Sequence, residues 1–218
     1  MRLLALLALV AALRPAASGS IGLIGVSGDG FVVVAAGTAS LRGSMVLSKG
    51  ADPVWTLPGG TLAAFAGDDA AGPRLAERLT AEARLKAARE PAPPSARMLA
   101  ARAARLARGT GVEAIIGGPR GGGGTGAPGL YRVGQDGGLY DVRYAASGAV
   151  AAMAYSALDE CPAGRMTEAE AVEAVRRCAD VVAQRMAFDV EFLVKVSDKD
   201  GPPRTVGVVR GRYRPRRG

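Results

Sequence analysis

The sequence predicts an α+β fold in four layers, an αββα sandwich of two mainly antiparallel sheets face to face with a helix pair outside each. Three observations predict it: the element order is strands, two helices, strands, two helices, strands; the strand segments are short, apolar and β-branched; and the helices carry apolar stripes. A sheet that is apolar on both faces must be covered twice, which a lone sheet or a helical bundle cannot do.

Taken in order, residues 21–26 and 31–36 are apolar runs joined by Ser27-Gly28-Asp29-Gly30, whose Asp-Gly chemistry suits a tight turn, so a buried hairpin is expected. Further strands read at 44–48, 53–57 and 61–66, the last two joined by Pro58-Gly59-Gly60, and the first third reads as a meander. Asp68 and Asp69 offer acidic groups to a helix start, and Leu75, Leu79 and Ala83 make one face of a helix over 69–89. Pro91-Ala92-Pro93-Pro94 breaks it, and Ser95 can cap a second helix over 95–108, with Leu99, Ala103 and Leu106 on one side. Residues 112–117 form a strand. The glycine-rich stretch 117–129 lacks the Gly-Lys-Ser/Thr ending of a phosphate-cradling loop and reads as a flexible loop.

Residues 130–133 and 139–143 form a second hairpin around Gly134-Gln135-Asp136-Gly137-Gly138. A helix over 147–158 is apolar on every side from Gly148 onward, which predicts burial on nearly all faces. Thr167-Glu168-Ala169-Glu170 is a capping box, and Val172, Val175, Cys178 and Val182 share one face of the helix it starts, over 167–186. Residues 190–196 alternate into a strand, Asp198-Lys199-Asp200-Gly201 turns, and 205–209 return beside it.

Length and composition narrow the function. A chain of 218 residues, 49% hydrophobic and 22% charged, suits one domain with a sizeable core. The net charge of +8 raises nucleic acid as a partner. Yet Arg97, Arg102, Arg105 and Arg108 lie on one predicted helix, and Arg204, Arg210, Arg212, Arg214, Arg216 and Arg217 crowd the C-terminus with little aromatic interleaving beyond Tyr213. Solvated faces and tails explain such runs, so no nucleic acid is expected. The chain has no histidine, which removes Ser-His-Asp and Cys-His catalysis and histidine metal sites. Cys161 and Cys178 lack CxxC spacing, so neither a zinc site nor a disulfide framework is signalled, and no cofactor or metal is expected.

At the N-terminus Arg2, the apolar run 3–13 and Arg14-Pro15-Ala16-Ala17-Ser18-Gly19 have the charged start, apolar middle and small-residue end of a secretory signal. The run is too short for a membrane anchor. On pattern alone a signal is favoured over a removable propeptide or a misassigned start.

The run Leu23-Ile24-Gly25-Val26 through Phe31-Val32-Val33-Val34-Ala35-Ala36 is similar to the opening hairpin of proteasome beta subunits. Leu62-Ala63-Ala64-Phe65-Ala66-Gly67-Asp68-Asp69 resembles that family's junction between a core strand and its first helix, and residues 112–117, Leu130-Tyr131 and Ala145-Ala146-Ser147-Gly148 fall in the family's order and spacing. Leu23 to Gly25, Leu158-Asp159, Arg176-Arg177-Cys178 and Asp198 to Gly201 are most similar to the branch at the fourth position of the eukaryotic beta ring, called beta type-2. The resemblance covers about residues 20–201 and rests on collinearity rather than on one motif. It divides the chain into an extension at 1–19, a domain at 20–209 and a basic tail at 210–218.

The resemblance implies the N-terminal-nucleophile hydrolase fold. Active members of the family use a threonine freed by cleavage after glycine, its own amine as base, an aspartate after the second strand and a lysine on a later strand. In this chain Gly19-Ser20 stands at the cleavage point, Gly37 at the aspartate position and Pro53 at the lysine position; Ala149 and Ala151 fall where active members carry a supporting serine pair. Gly67 matches the glycine lining the oxyanion region. In an enzyme reading Ser20 is the nucleophile and Lys49 or Arg42 replaces the cation; in a structural reading Ser20 is a surface or strand-edge hydroxyl. With carboxylate, lysine and serines gone, the resemblance implies no catalytic residues. It implies a non-catalytic beta subunit of the 20S core particle, in heptameric rings with alpha and other beta subunits, in cytoplasm and nucleus, serving ubiquitin-dependent degradation, with no membrane or nucleic acid as partner. A subunit folding in the cytosol also turns residues 1–19 into a short propeptide, a gene-prediction artefact or a lineage-specific extension. The alternatives are an active hydrolase using Ser20 and a secreted protein of the same fold.

Overall fold

The computed structural model describes residues 19–42, 45–48, 50, 52–67, 70–90, 92–122, 126–161, 166–199 and 201–215. The expectations placed on residues 1–18, on Asp68 and Asp69 and on Lys49 therefore lie outside the described residues, as does the side chain of Arg42.

The first half of the chain contains β1 (Gly19–Ser20), β2 (Leu23–Ser27), β3 (Phe31–Gly37), β4 (Ser40–Arg42), β5 (Met45–Ser48), β6 (Val54–Leu57), β7 (Thr61–Ala66), α1 (Ala71–Arg89) and α2 (Ala96–Ala107). The second half contains β8 (Glu113–Pro119), β9 (Pro128–Val133), β10 (Leu139–Val142), β11 (Tyr144–Ser147), α3 (Ala151–Leu158), α4 (Glu168–Met186), β12 (Val190–Asp198) and β13 (Arg204–Gly211). Two five-stranded sheets form, in the orders β11-β2-β3-β12-β13 and β10-β9-β8-β7-β6, beside a small sheet β1-β4-β5. The expected antiparallel pairing holds throughout them.

The alternation along β3 explains why the layers stack. Phe31, Val33 and Ala35 pack with α3 and α4, while Val32, Val34 and Ala36 face the other sheet, where they meet Val54, Leu62, Ala64, Ile115 and Leu130. The far side of that second sheet carries Ala63, Phe65, Ala114 and Ile116 against Leu75, Leu79, Leu99 and Ala103 of α1 and α2. Apolar strands with both faces used thus give four layers, α3/α4, sheet, sheet, α1/α2, as the sequence predicts. Local chemistry sets the helix starts: the Ser95 hydroxyl accepts from the Met98 N–H, and Thr167 and Glu170 form the reciprocal capping box.

Five expectations are corrected. The first third is not one meander, because the β2–β3 and β6–β7 hairpins lie in opposite sheets, each needing the other's apolar face for cover. The stretch 117–129 is not all loop: β8 runs through Pro119 and β9 starts at Pro128, with Gly118 opposite Gly129 and Pro119 opposite Pro128. Small residues there extend the ladder where only loop chemistry was read. The helix expected over 147–158 starts at Ala151, because residues through Ser147 pair with β2, Ser147 opposite Leu23. Nor is that helix buried all round; Ala154, Ala157 and Leu158 are buried while Ala152 and Ser156 are exposed, as an outer-layer position dictates. Finally, β13 continues through Arg210 and Gly211, two residues into the segment read as tail, because Val190 and Glu191 of β12 are available to pair with them.

Candidate functional site

Ser20 is brought to the end of β3 by three backbone constraints. Gly19 and Ser20 pair with Leu41 and Ser40, the Ile21 N–H donates to Ala39 O at 3.2 Å, and the Gly37 N–H donates to Gly22 O at 2.9 Å. The Ser20 hydroxyl consequently donates to Gly37 O at 3.1 Å, with Gly22 O at 3.5 Å. A β-carbon at position 37 would stand 3.5 Å from Ser20 Oγ, so this position does aim at the hydroxyl. The same β-carbon would stand 1.9 Å from Cγ2 of Ile21, which is 2% exposed. The volume a side chain at 37 would need is filled by that methyl. Glycine is what lets Ile21 pack there.

Pro53 is half-buried just before β6, and an ammonium does reach this segment, from a strand that the sequence did not nominate. Lys195 of β12 is 8% exposed, and its Nζ donates to Asp52 Oδ2 at 2.7 Å and to Val54 O at 2.6 Å. Phe192 is the residue opposite Gly37 and Lys195 is opposite Val34. Lys195 therefore leaves the backbone three residues, about 10 Å, from the level of the Ser20 hydroxyl. Among the described residues that hydroxyl meets backbone carbonyls and no amine or carboxylate.

Gly67 follows β7 at φ 120°, and a β-carbon there would lie 2.4 Å from Gly111 O, so the backbone passes too closely for any side chain. Ala149 is exposed and Ala151 half-buried at the turn into α3. Beside them stands a polar group that sequence reasoning missed. Glu113 of β8 accepts the Gly148 N–H at 3.0 Å and pairs with Arg132 of β9 at 3.6 Å, and Arg132 Nε donates to the buried Ser147 hydroxyl at 3.4 Å. The carboxylate lies just ahead of the α3 N-terminus, where negative charge is favoured. A charge inside an otherwise apolar strand is the one signal that could have found Glu113, Arg132 and Lys195.

The thiols add no nucleophile. Burial pushes Cys178 up to about 12, and burial likewise raises Cys161, so both stay protonated near neutrality. Among the described residues no three His, Cys, Asp or Glu side chains gather as metal ligands would. What the geometry assembles is a hydroxyl held by carbonyls beside a packed isoleucine.

A family model described as "Proteasome subunit" matches residues 18–194. The chain is also 29% identical over 189 residues to a Neurospora crassa protein named "Probable proteasome subunit beta type-4", the match spanning 82% of this chain and 91% of that one. The two antiparallel sheets and their outer helix pairs agree with that match as an N-terminal-nucleophile hydrolase fold. With its architecture and most of its length accounted for in this way, the chain belongs to the proteasome subunit family.

Proposed function

We propose that this chain is a non-catalytic beta subunit of the 20S core particle, seated in a heteroheptameric beta ring between alpha rings. The observation that carries the reading is the Ile21 methyl, 1.9 Å from where a β-carbon at position 37 would stand, which leaves no space for the aspartate of active members. The hydroxyl of Ser20 is engaged by Gly37 O, and the lysine position holds Pro53 while the nearby Lys195 ammonium is engaged by Asp52 and Val54. Among the described residues no side-chain base or cation bonds the Ser20 hydroxyl, and a hydroxyl without one stays a weak nucleophile. The likeness to a beta-named relative supports the ring. For the seat, the resemblance read from Leu23 to Gly25 and Arg176 to Cys178 is to the fourth position, under the label type-2, while the relative carries the label type-4. The fourth position is the one proposed. Within the particle the subunit acts sterically, spacing catalytic neighbours and walling the chamber, in cytoplasm and nucleus, in support of ubiquitin-dependent degradation.

Two measurements test this. Particles carrying Ser20→Ala should hydrolyse each class of reporter peptide at the wild-type rate, and a large loss confined to one class would overturn the non-catalytic reading. Size-exclusion chromatography of extracts should place the chain with other proteasome subunits; elution as a free monomer of about its own mass would sink the assembly reading.

A further inference from the structure

The chain has only two cysteines, and the fold brings both to one flank of α3. Cys178 is on the buried face of α4, and its thiol donates to Ala154 O at 3.6 Å. Cys161 follows the last turn of α3, where its N–H donates to Leu158 O at 2.9 Å, and its thiol donates to Ala157 O at 3.8 Å. Carbonyls three residues apart in a helix are separated by about 4.5 Å along the axis and lie on the same side of it. Two sulfurs bonded to such carbonyls are neighbours across the α3–α4 contact, and both pack in the same apolar cluster. They also feel each other's charge, since Cys161 raises the Cys178 thiol.

Arg177 completes the group. Its Nε–H is buried and has no hydrogen-bond partner among the described residues, a cost that the resting protein carries. Its charge favours the ionised form of both thiols, while burial opposes it at both and Glu160 opposes it at Cys161. Burial outweighs the guanidinium, so the thiols are protonated at rest and react only under a sustained oxidant load. A sulfenic acid, the first product of such a load, adds an oxygen acceptor of the kind that the Arg177 N–H lacks.

We propose that Cys161 and Cys178 are a peroxide-sensitive pair whose oxidation to a disulfide staples the end of α3 to the middle of α4. Half-buried Cys161 meets the oxidant and buried Cys178 resolves it. The Cys161 thiolate attacks one oxygen of hydrogen peroxide and the O–O bond breaks; a sulfenic acid forms, and the released hydroxide takes the thiol's proton and leaves as water. Cys178 then loses its proton and attacks the sulfenic sulfur, so that the S–S bond forms, the S–O bond breaks and the hydroxyl leaves with that proton as a second water. Two thiols give up two electrons in all, and one peroxide is reduced to two waters. Cys161 supplies the movement through rotation about χ1, because it lies beyond the last residue of α3, whereas Cys178 is fixed in the α4 core.

The test takes the full chain as isolated from its source, treats it with hydrogen peroxide at pH 8, alkylates the remaining thiols in urea and digests with trypsin without reductant. The product should join residues 144–165 to residues 178–185, two hydrogens lighter than the two peptides together, and should separate on reduction with dithiothreitol. Cys161→Ser should leave Cys178 alkylated, and Cys178→Ser should leave a sulfenic acid at Cys161 that dimedone traps. In pulse proteolysis the oxidised wild-type chain should have a folded-to-unfolded ratio about tenfold or more above that of the reduced chain, because the crosslink restricts the unfolded state; peroxide should give Cys161→Ser no such rise. Complete alkylation of Cys178 in wild-type chain whose Cys161 has gone to sulfinic acid, or disulfides found only between separate chains, would overturn the pairing. A linked chain no more resistant than the reduced one would overturn the staple.

Discussion

Gly37→Ala tests the reading of the site most directly, because it adds one methyl where the β-carbon would stand 1.9 Å from Ile21 Cγ2. Apolar carbons rest about 3.5–4.0 Å apart, so the isoleucine must shift by more than an ångström. Ile21 is 2% exposed and β-branched, with little rotamer freedom to give way. Overpacking of this kind costs about 1–3 kcal/mol, offset by about 0.4–1 kcal/mol because alanine restricts the unfolded chain and Gly37 is not at positive φ. A net destabilisation of about 1–2 kcal/mol is expected. Ile21→Ala alone should cost about 2–5 kcal/mol by opening a cavity. In the double variant the methyl at 37 enters that cavity, so the combined cost should fall short of the sum by about 1–2 kcal/mol. Pulse proteolysis in urea reads the folded fraction of all four proteins without requiring each to be purified. Additivity within about 0.5 kcal/mol would refute the claim that Ile21 occupies the position-37 volume.

Lys195→Ala should destabilise the fold by about 1–3 kcal/mol, measured in the same way, because it strips the buried Val54 carbonyl of its donor; Lys195→Met, which keeps the stem, should cost less. Thr167→Ala should cost about 1 kcal/mol of stability through loss of the α4 cap. The Thr167 backbone N–H, and then its hydroxyl, hold Glu170 below its ordinary value of 4.5. A depressed folded pKa means that this contribution is complete above the unfolded value and lost as pH falls through the folded one, so Glu170→Gln should flatten the stability profile below about pH 4.5. Iodoacetamide at pH 8 should label half-buried Cys161 before Cys178, whose thiol sits at about 12; equal rates would show that the α4 core opens freely.

The layered fold was legible because its cause is periodic. Strands such as β3 alternate between two apolar environments, helices such as α4 show one stripe, and Ser95 and Thr167 mark their starts with side-chain oxygens at fixed spacing. What escaped has no local period. Gly118 and Pro119 look like loop composition, and only their partners across the ladder, Gly129 and Pro128, make them strand. At the site, the neighbourhood of Ser20 and Gly37 followed from position along the chain, whereas the Ile21 methyl between them depends on a side-chain direction that spacing does not reveal. Lys195 was overlooked because alternation with Val194 and Val196 assigns it to a solvent face; in a sheet covered on both sides the alternate face is the second sheet.

That misplaced lysine explains how the two sheets keep their alignment. The layer between them is built mostly of Val, Ala and Leu, whose contacts are strong in sum but weakly directional, so they oppose sliding of one sheet over the other only through shape. The inner face of β12 supplies direction. Lys195 bonds Asp52 and Val54 O, and two residues on the buried Ser197 hydroxyl donates to Gly60 O at 2.8 Å, so both ends of the β6–β7 hairpin are tied to one strand. Leaving the buried Lys195 ammonium or the Val54 carbonyl unmet is costlier than the net gain of making their bond, which penalises other alignments more than it stabilises this one. The cation beside Pro53 therefore works on the packing of the sheets. It is committed to Asp52 and Val54 O, and its residue leaves β12 three positions, about 10 Å, from the level of the Ser20 hydroxyl.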